Sequence, residues 1–186
     1  MGEMRPFEEE VFPLDLAIVR WVSRMLHTPL LDRLMPLITM LGNGGWIWLA
    51  ICVILLCRRR TRRWGVLCAL SMFLTFLAGE GVLKNLVQRL RPFYHLPELE
   101  LLIPPPGSFS FPSGHSGSSF AAAASVWRMD RRWGRWALAL AVLIAFSRLY
   151  LSVHYLTDIL AGSVLGLLCA WLAAKFCNHW ERWHTL

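Results

Sequence analysis

Residues 147–176 read SRLYLSVHYLTDILAGSVLGLLCAWLAAKF, an apolar run with charged residues near its start. Residues 159–174 contain no charged side chain, whereas Arg148, His154 and Asp158 all precede them. A helix needs about 20 apolar residues to cross the hydrocarbon core of a bilayer. The pattern therefore predicts a membrane-spanning helix over about residues 154–176, with ionisable residues gathered at one of its ends.

The composition of the whole chain agrees with a membrane protein. Hydrophobic residues make up 56% of the 186 residues and charged residues only 17%, whereas soluble domains carry roughly 25% charge. A soluble domain of this length would need more polar surface. The five cysteines are too few for a disulfide scaffold and show no CxxC spacing. We expect an all-α, polytopic helix bundle built inside a bilayer.

Four further runs with few or no charges predict additional spans over residues 45–57, 64–83, 111–127 and 136–153. With residues 154–176 the count is five, and a sixth span is left open. Residues 14–41 place apolar side chains at helical spacing with Asp15, Arg20 and Arg24 between them, which favours two amphipathic helices in the membrane interface. We predict one domain over residues 1–186, with interfacial helices in residues 1–43 and a transmembrane core in residues 44–178.

The basic residues indicate the orientation. The net charge is +7, and 11 of the 19 basic residues lie in residues 58–63, in residues 128–135 and at Lys175 and Arg182. The positive-inside rule places these regions, including the C-terminus, on the cytoplasmic side of a cell membrane. Because these residues flank apolar spans, we expect no nucleic-acid partner. The opposite helix ends then face the periplasm or the exterior.

A small set of ionisable residues remains at those opposite helix ends: Lys84, Arg91, His115, Arg148, His154 and Asp158. Ionisable groups in a membrane are costly, so they usually face a cavity and carry function. Four helix ends therefore present one basic, imidazole-rich cluster. Glu80, one turn before Lys84, is interpreted as a structural ion-pair partner. Arg89 is expected to snorkel to the interface.

The residue types in this cluster suit a phosphate group. Arginine offers a planar fork that matches phosphate oxygens, and lysine adds a point charge. Residues 112–115 (PSGH) lie where a loop enters a helix, so backbone N–H groups there suit an anion. The two histidines supply proton chemistry and a nucleophile. No cluster of acidic residues on this face would hold Mg²⁺, so we expect no metal or other cofactor.

Three blocks of sequence resemble the signature of the type 2 phosphatidic acid phosphatase (PAP2) superfamily. The first covers residues 84–92 (Lys84-x6-Arg91-Pro92), the second residues 112–115, and the third residues 147–158 (Ser147-Arg148-x5-His154-x3-Asp158). All three occur in the expected order and with the expected internal spacing. Because three spaced blocks match together, the signal is far more specific than PSGH alone.

The resemblance implies a role for each matching residue. His154 would be the nucleophile that forms a phosphohistidine, Asp158 would hold its ring, and His115 would be the general acid. The remaining matches would bind the phosphate oxygens: Lys84, Arg91, Ser113, Gly114 through its N–H, and Arg148.

A cluster at headgroup level fits a lipid phosphate that arrives laterally in the bilayer. The resemblance extends to undecaprenyl-diphosphate phosphatases and phosphatidylglycerophosphatase B, and we favour undecaprenyl diphosphate as substrate. Phosphatidylglycerophosphate, phosphatidate and diacylglycerol pyrophosphate remain alternative substrates, because the motif residues recognise the phosphate group and not the lipid tail. A non-enzymatic lipid-phosphate binding or transport protein is the alternative from another class, but binding alone would not need two histidines. The sequence leaves the oligomeric state open.

The loop over residues 93–111 is unusually apolar in its first half. Its leucine-rich part, residues 96–103, is expected to dip into the outer leaflet and help form the lipid entrance.

Overall fold

The computed structural model describes residues 13–184, with side chains over residues 13–177, and every regular element in that range is helical. In chain order the helices are α1 (Pro13–Met25), α2 (Pro29–Gly42), α3 (Trp46–Cys57), α4 (Arg62–Phe76), α5 (Lys84–Val87), α6 (Pro92–His95), α7 (Gly114–Met129), α8 (Arg131–Tyr150) and α9 (Leu156–His184). A 3₁₀ turn (Asn43–Gly45) joins α2 to α3, and a π-helical segment (Leu77–Leu83) joins α4 to α5. The all-α class is confirmed. The side chain of Arg182, used in predicting the orientation, lies outside the described residues.

Three segments of the described chain are long and apolar enough to cross a membrane: Pro29–Cys57, Arg62–His95 and Leu156–Cys177. They overlap the first, second and fifth predicted spans. Helices α7 and α8 stand where the third and fourth were predicted, and their serine, glycine and arginine residues make them less apolar. The helical membrane bundle is confirmed, while the five-span count stays a prediction.

Helix α7 is the central element and packs against α4, α8 and α9. Its buried positions carry small side chains, including Ala121, Ala122 and Ser125. A Cβ on Gly166 of α9 would lie only 2.2 Å from the carbonyl oxygen of Gly117, so glycine is needed at this crossing. Small residues let membrane helices approach closely. This approach brings the start of α7 beside the start of α9, and therefore the second sequence block beside the third.

The N-terminal helices pack directly on the helices that carry the third block. Helix α1 contacts α8 and α9, and α2 contacts α8. Leu16, Val19 and Val22 form the buried face of α1. The two helices predicted in residues 14–41 are thus present, and α2 runs on through the 3₁₀ turn into α3. Their interfacial position stays a prediction.

The leucine-rich part of the 93–111 loop folds back against the protein, and its insertion into the outer leaflet stays a prediction. Leu96 is fully buried. Leu99 and Leu101 pack on the same hydrophobic cluster, which includes Val19 and Tyr150. The protein core removes these apolar side chains from water just as a lipid leaflet would, and composition alone does not distinguish the two.

Candidate active site

A pocket of about 560 Å³ lies where α7 and α9 begin. Seven of the eight predicted site residues line it: Lys84, Arg91, Ser113, Gly114, His115, Arg148 and His154. The eighth, Asp158, is fully buried behind His154. Apolar side chains of α3 and α4, among them Leu49 and Phe76, line another part of the pocket. The cavity therefore joins a cationic wall to an apolar one.

His154 lies in the connection between α8 and α9 and is 2% exposed. Its Nε2 is 3.2 Å from Nη1 of Arg91, and its Nδ1 is 3.5 Å from Oδ2 of Asp158. A guanidinium can only donate a hydrogen bond, so the contact requires a lone pair on Nε2 and places the ring proton on Nδ1. In this tautomer the unprotonated nitrogen is on the side of Arg91, and the N–H is on the side of Asp158.

Protein oxygens hold the guanidinium of Arg91 in place beside that nitrogen. Its Nε donates to the carbonyl of Ser108 and its Nη1 to the carbonyl of Val153, both at 2.7 Å. Its Nη2 donates to the hydroxyl of Ser108 and the carbonyl of Phe109, both at 3.2 Å. A buried cation is costly unless its donors are satisfied. These carbonyls therefore fix Arg91 at a defined position next to Nε2 of His154.

Arg148, on the last turn of α8, has a donor to spare. Its Nη1 donates to Oγ1 of Thr39 at 2.7 Å. Its Nε is buried and has no hydrogen-bond partner. Every other buried side-chain nitrogen or oxygen atom in residues 13–177 has one. An unmade hydrogen bond on a buried group costs about 1–3 kcal/mol. Because Arg148 also lines the pocket, its guanidinium lies beside any anion that binds there.

Lys84 follows the π-helical segment and is paired with Glu80. Its Nζ donates to Oε1 of Glu80 at 2.6 Å, which confirms the predicted ion pair, and both residues line the pocket. A Cβ on Gly114 would lie 2.5 Å from the same carboxylate oxygen, so a larger residue there would push the Glu80 side chain away from this position. Single π turns in helices are common at functional sites. A phosphate that reaches Lys84 would share it with Glu80.

Ser113 and His115 lie at the N-terminus of α7. The hydroxyl of Ser113 caps the helix by accepting from the N–H of Ser116 at 3.4 Å. Its own N–H donates to the carbonyl of Asp158 at 3.1 Å, which ties the second block to the third. Nε2 of His115 lies 2.9 Å from Oδ1 of Asn43, an acceptor that orients the imidazole.

The sequence did not indicate five polar residues that hold these side chains: Asp15, Thr39, Asn43, Arg89 and Ser110. Arg89 was expected to snorkel, and that expectation is wrong, because it is 7% exposed and donates to Asp158 at 2.7 Å. Ser110 donates to the other oxygen of that carboxylate. One signal was available for Asp15, which is four residues before Val19 and so lies on the apolar face of α1.

The comparisons with known proteins agree with the three blocks. The model of the PAP2 superfamily matches residues 64–182. An undecaprenyl-diphosphatase of Sulfolobus acidocaldarius is 32% identical over 147 residues, which cover 78% of this chain and 70% of the relative.

Two crystal structures share the fold. The first transmembrane PAP2 type phosphatidylglycerolphosphate phosphatase from Bacillus subtilis superposes with a TM-score of 0.73 at 31% identity, over 91% of this chain and 87% of that one. Aquifex aeolicus LpxE superposes with a TM-score of 0.79 at 26% identity, over 89% and 98%. With a family match over more than half of its length and lipid phosphatases among its relatives, the chain belongs to the PAP2 superfamily and is a membrane lipid phosphatase.

Proposed function

We propose that this phosphatase hydrolyses a phosphate ester or diphosphate of a membrane lipid through a phosphohistidine on His154, without a metal ion. The observation that carries the proposal is the environment of His154. Its Nε2 has a lone pair beside Arg91, its Nδ1 is 3.5 Å from Asp158, and the pocket around it is lined with cations. This combination prepares a neutral imidazole to attack phosphorus next to groups that neutralise phosphate charge.

In the first step Nε2 of His154 attacks phosphorus, and the bond from phosphorus to the leaving oxygen breaks. For an ester or a diphosphate, His115 in its imidazolium form gives its Nε2 proton to that oxygen and becomes neutral. The leaving oxygen would take the place that Oδ1 of Asn43 occupies 2.9 Å away. In the second step water attacks phosphorus, His115 takes a proton from the water, and the N–P bond breaks to release inorganic phosphate. Asp158 stabilises the Nδ1–H while Nε2 carries phosphorus.

Lys84, Arg91 and Arg148 would hold the phosphoryl oxygens. Arg148 contributes its guanidinium on the pocket wall, and Arg91 contributes the guanidinium beside Nε2 of His154. Ser113 and the N–H of Gly114 complete the site at the start of α7, where a helix N-terminus favours an anion. The positive charge that a metal ion would bring is supplied by these three side chains.

Undecaprenyl diphosphate is the first candidate substrate, because the relative from S. acidocaldarius carries that activity in its name. Phosphatidylglycerophosphate is the second, because the B. subtilis structure is of a phosphatidylglycerolphosphate phosphatase at a similar identity. Phosphatidate and diacylglycerol pyrophosphate offer the same phosphate to the pocket and belong in the same assay. The apolar residues of α3 and α4 would receive the first part of the lipid tail.

We place the protein in the cell membrane with its pocket towards the periplasm or exterior and its C-terminus in the cytoplasm. Arg63, Arg128 and Arg131 line one groove together with Cys177, at the end of the bundle away from the pocket. This grouping supports the positive-inside argument. Labelling of single cysteines by a membrane-impermeant maleimide in intact cells would test it, since a residue beside Arg128 should stay unlabelled.

The central experiment measures phosphate release from the four lipids in mixed micelles, with and without EDTA. We expect release in both conditions, with one lipid preferred by its kcat/KM. Acid-labile, base-stable labelling of the protein by ³²P-substrate would identify the phosphohistidine. Release that requires a divalent ion, or turnover by a His154→Ala variant, would contradict the mechanism.

A further inference from the structure

Arg89 lies between two buried carboxylates that come from opposite ends of the sequence. Its Nη1 donates to Oδ1 of Asp158 at 2.7 Å, and its Nη2 donates to Oδ2 of Asp15 at 2.8 Å. The aromatic ring of Tyr155 stacks on the guanidinium, 3.9 Å from ring centroid to Cζ. Arg89, Asp15 and Asp158 are 7%, 3% and 0% exposed. The three charges therefore form one buried row from α1 to the start of α9.

The row divides the two oxygens of Asp158 between two functions. Oδ1 is taken by Arg89, whereas Oδ2 accepts from Ser110 and from the N–H of Tyr155 at 2.9 Å, and lies 3.5 Å from Nδ1 of His154. Carboxylates have no other acceptor atoms. By holding Oδ1, Arg89 fixes the rotation of the carboxylate and keeps Oδ2 turned towards the histidine.

Asp15 completes the row from a helix that lies outside the family match over residues 64–182. It accepts from Arg89, from the N–H of Thr157 at 3.1 Å and from the hydroxyl of Thr157. If Asp15 were neutral, the full charge of Arg89 would act on Asp158 alone. Asp158 would then be a weaker acceptor for the Nδ1–H of His154, and the imidazole would be a poorer nucleophile.

We propose that Asp15 and Arg89 are positioning residues of the phosphatase, which set the orientation and basicity of Asp158 and through it the reactivity of His154. The inference rests on the proposed function of His154 as nucleophile. It assigns to α1 a part in the chemistry in addition to its packing on α8 and α9. A competing explanation is that the row has a structural role only and anchors α1 to the rest of the bundle.

Asp15→Asn tests the proposal, because it removes the charge and keeps the size. Asp32→Asn is the matched control. Asp32 belongs to the same N-terminal segment, and its carboxylate accepts from the hydroxyl of Tyr150 at 2.6 Å, so the change also loosens that segment but leaves the row intact. We expect Asp15→Asn to lower kcat about tenfold with KM within twofold, and Asp32→Asn to leave both within twofold at a comparable loss of thermal midpoint.

Arg89 supplies the second variant and the coupling test. Arg89→Gln should lower kcat at least as much as Asp15→Asn, and Arg89→Lys should recover part of the loss because it restores the charge. In the Arg89→Gln background, Asp15→Asn should cause no further loss, since both act through Asp158. Two results would overturn the proposal: equal losses of kcat in Asp15→Asn and Asp32→Asn, or additive losses in the double variant. Either would show that the row only holds α1 against the bundle.

Orthovanadate gives a readout that does not depend on lipid turnover, because it can bond to an imidazole nitrogen in a trigonal-bipyramidal geometry. Its affinity, measured by ⁵¹V NMR, should fall several-fold in Asp15→Asn and stay unchanged in Asp32→Asn. If the wild-type protein turns over none of the four lipids, the proposed function fails. The vanadate result still decides for or against the positioning row.

Discussion

The protein holds two groups of arginines at opposite ends of the bundle, and their surroundings differ in kind. Arg91 and Arg148, at the pocket, are each 3% exposed and donate to fixed protein oxygens. Arg63 and Arg131, at the other end, are exposed and stack on Trp64 and Trp127, with Cζ 4.5 Å and 5.3 Å from the ring centroids. The second group lines a groove of about 1120 Å³ with apolar and aromatic side chains.

The difference in burial separates arginines with a role in the pocket from arginines with a role at the membrane interface. Burying a guanidinium costs several kcal/mol before its partners are counted, so a buried one must be held by many oxygens or serve a ligand. An exposed arginine over a tryptophan has little desolvation cost and suits the membrane interface. We therefore expect the buried group to control catalysis and the exposed group to control orientation.

Removing the proposed nucleophile, His154, should have the largest effect on turnover. His154→Ala should lower kcat by about a thousandfold or more, because it removes the imidazole nitrogen that lies beside Arg91 and is proposed to attack phosphorus. Phosphate release and ³²P labelling of the protein should both disappear. A thermal midpoint close to that of the wild type would show that the pocket is intact, whereas persistent labelling would place the phosphohistidine elsewhere.

Replacing a buried arginine by lysine should have the next largest effect. Arg91→Lys keeps the charge but loses the fork that contacts Val153, Ser108 and His154 at the same time. Loss of one such preorganised donor typically costs about 10²–10³ in kcat. We expect a fall in kcat/KM of about a hundredfold, measured in mixed micelles. A change below threefold would show that Arg91 acts only as a point charge.

The support of Arg148 should matter less than Arg148 itself. Thr39→Val is nearly isosteric and removes the hydroxyl that accepts from Nη1 of Arg148 at 2.7 Å. One hydrogen bond to a charged group is worth about 1.5–3 kcal/mol, but phosphate can still bind Nη1, so we expect KM to rise about fivefold at unchanged kcat. Ser118→Ala, at another residue lining the pocket, is the control and should leave KM unchanged.

The residues changed in these variants differ in whether the sequence alone could identify them. His154, Arg148 and Lys84 could be found because an ionisable residue at the end of an apolar run is conspicuous over a few positions of sequence. The residues that hold them could not, because the partners are far apart along the chain: 109 positions separate Thr39 from Arg148, and 72 separate Asn43 from His115. Such pairs depend on how α2 packs against α7 and α8.

Arg89 shows that local sequence does not determine the direction of a side chain. A position close to the end of an apolar run is compatible with a side chain that snorkels to the interface or with one that turns inward. The locations of its partners Asp15 and Asp158, 74 and 69 positions away, distinguish the two. The helices themselves were predictable because hydrophobic length is a local property, while the direction of a single arginine depends on the packing of α1.

The smallest effect on turnover is expected at the exposed arginines, and it completes the contrast between the two ends. Arg128→Ala and Arg131→Ala remove positive charge from the groove without touching any residue of the pocket. We expect kcat and KM within twofold of the wild type for the purified protein. In cells, the combined variant should shift a fraction of the chains to the inverted orientation, because fewer basic residues mark that side. Maleimide labelling of a reporter cysteine measures the fraction. A large loss of turnover in micelles would mean that the exposed arginines also act on the pocket, and the division between the two groups would have to be abandoned.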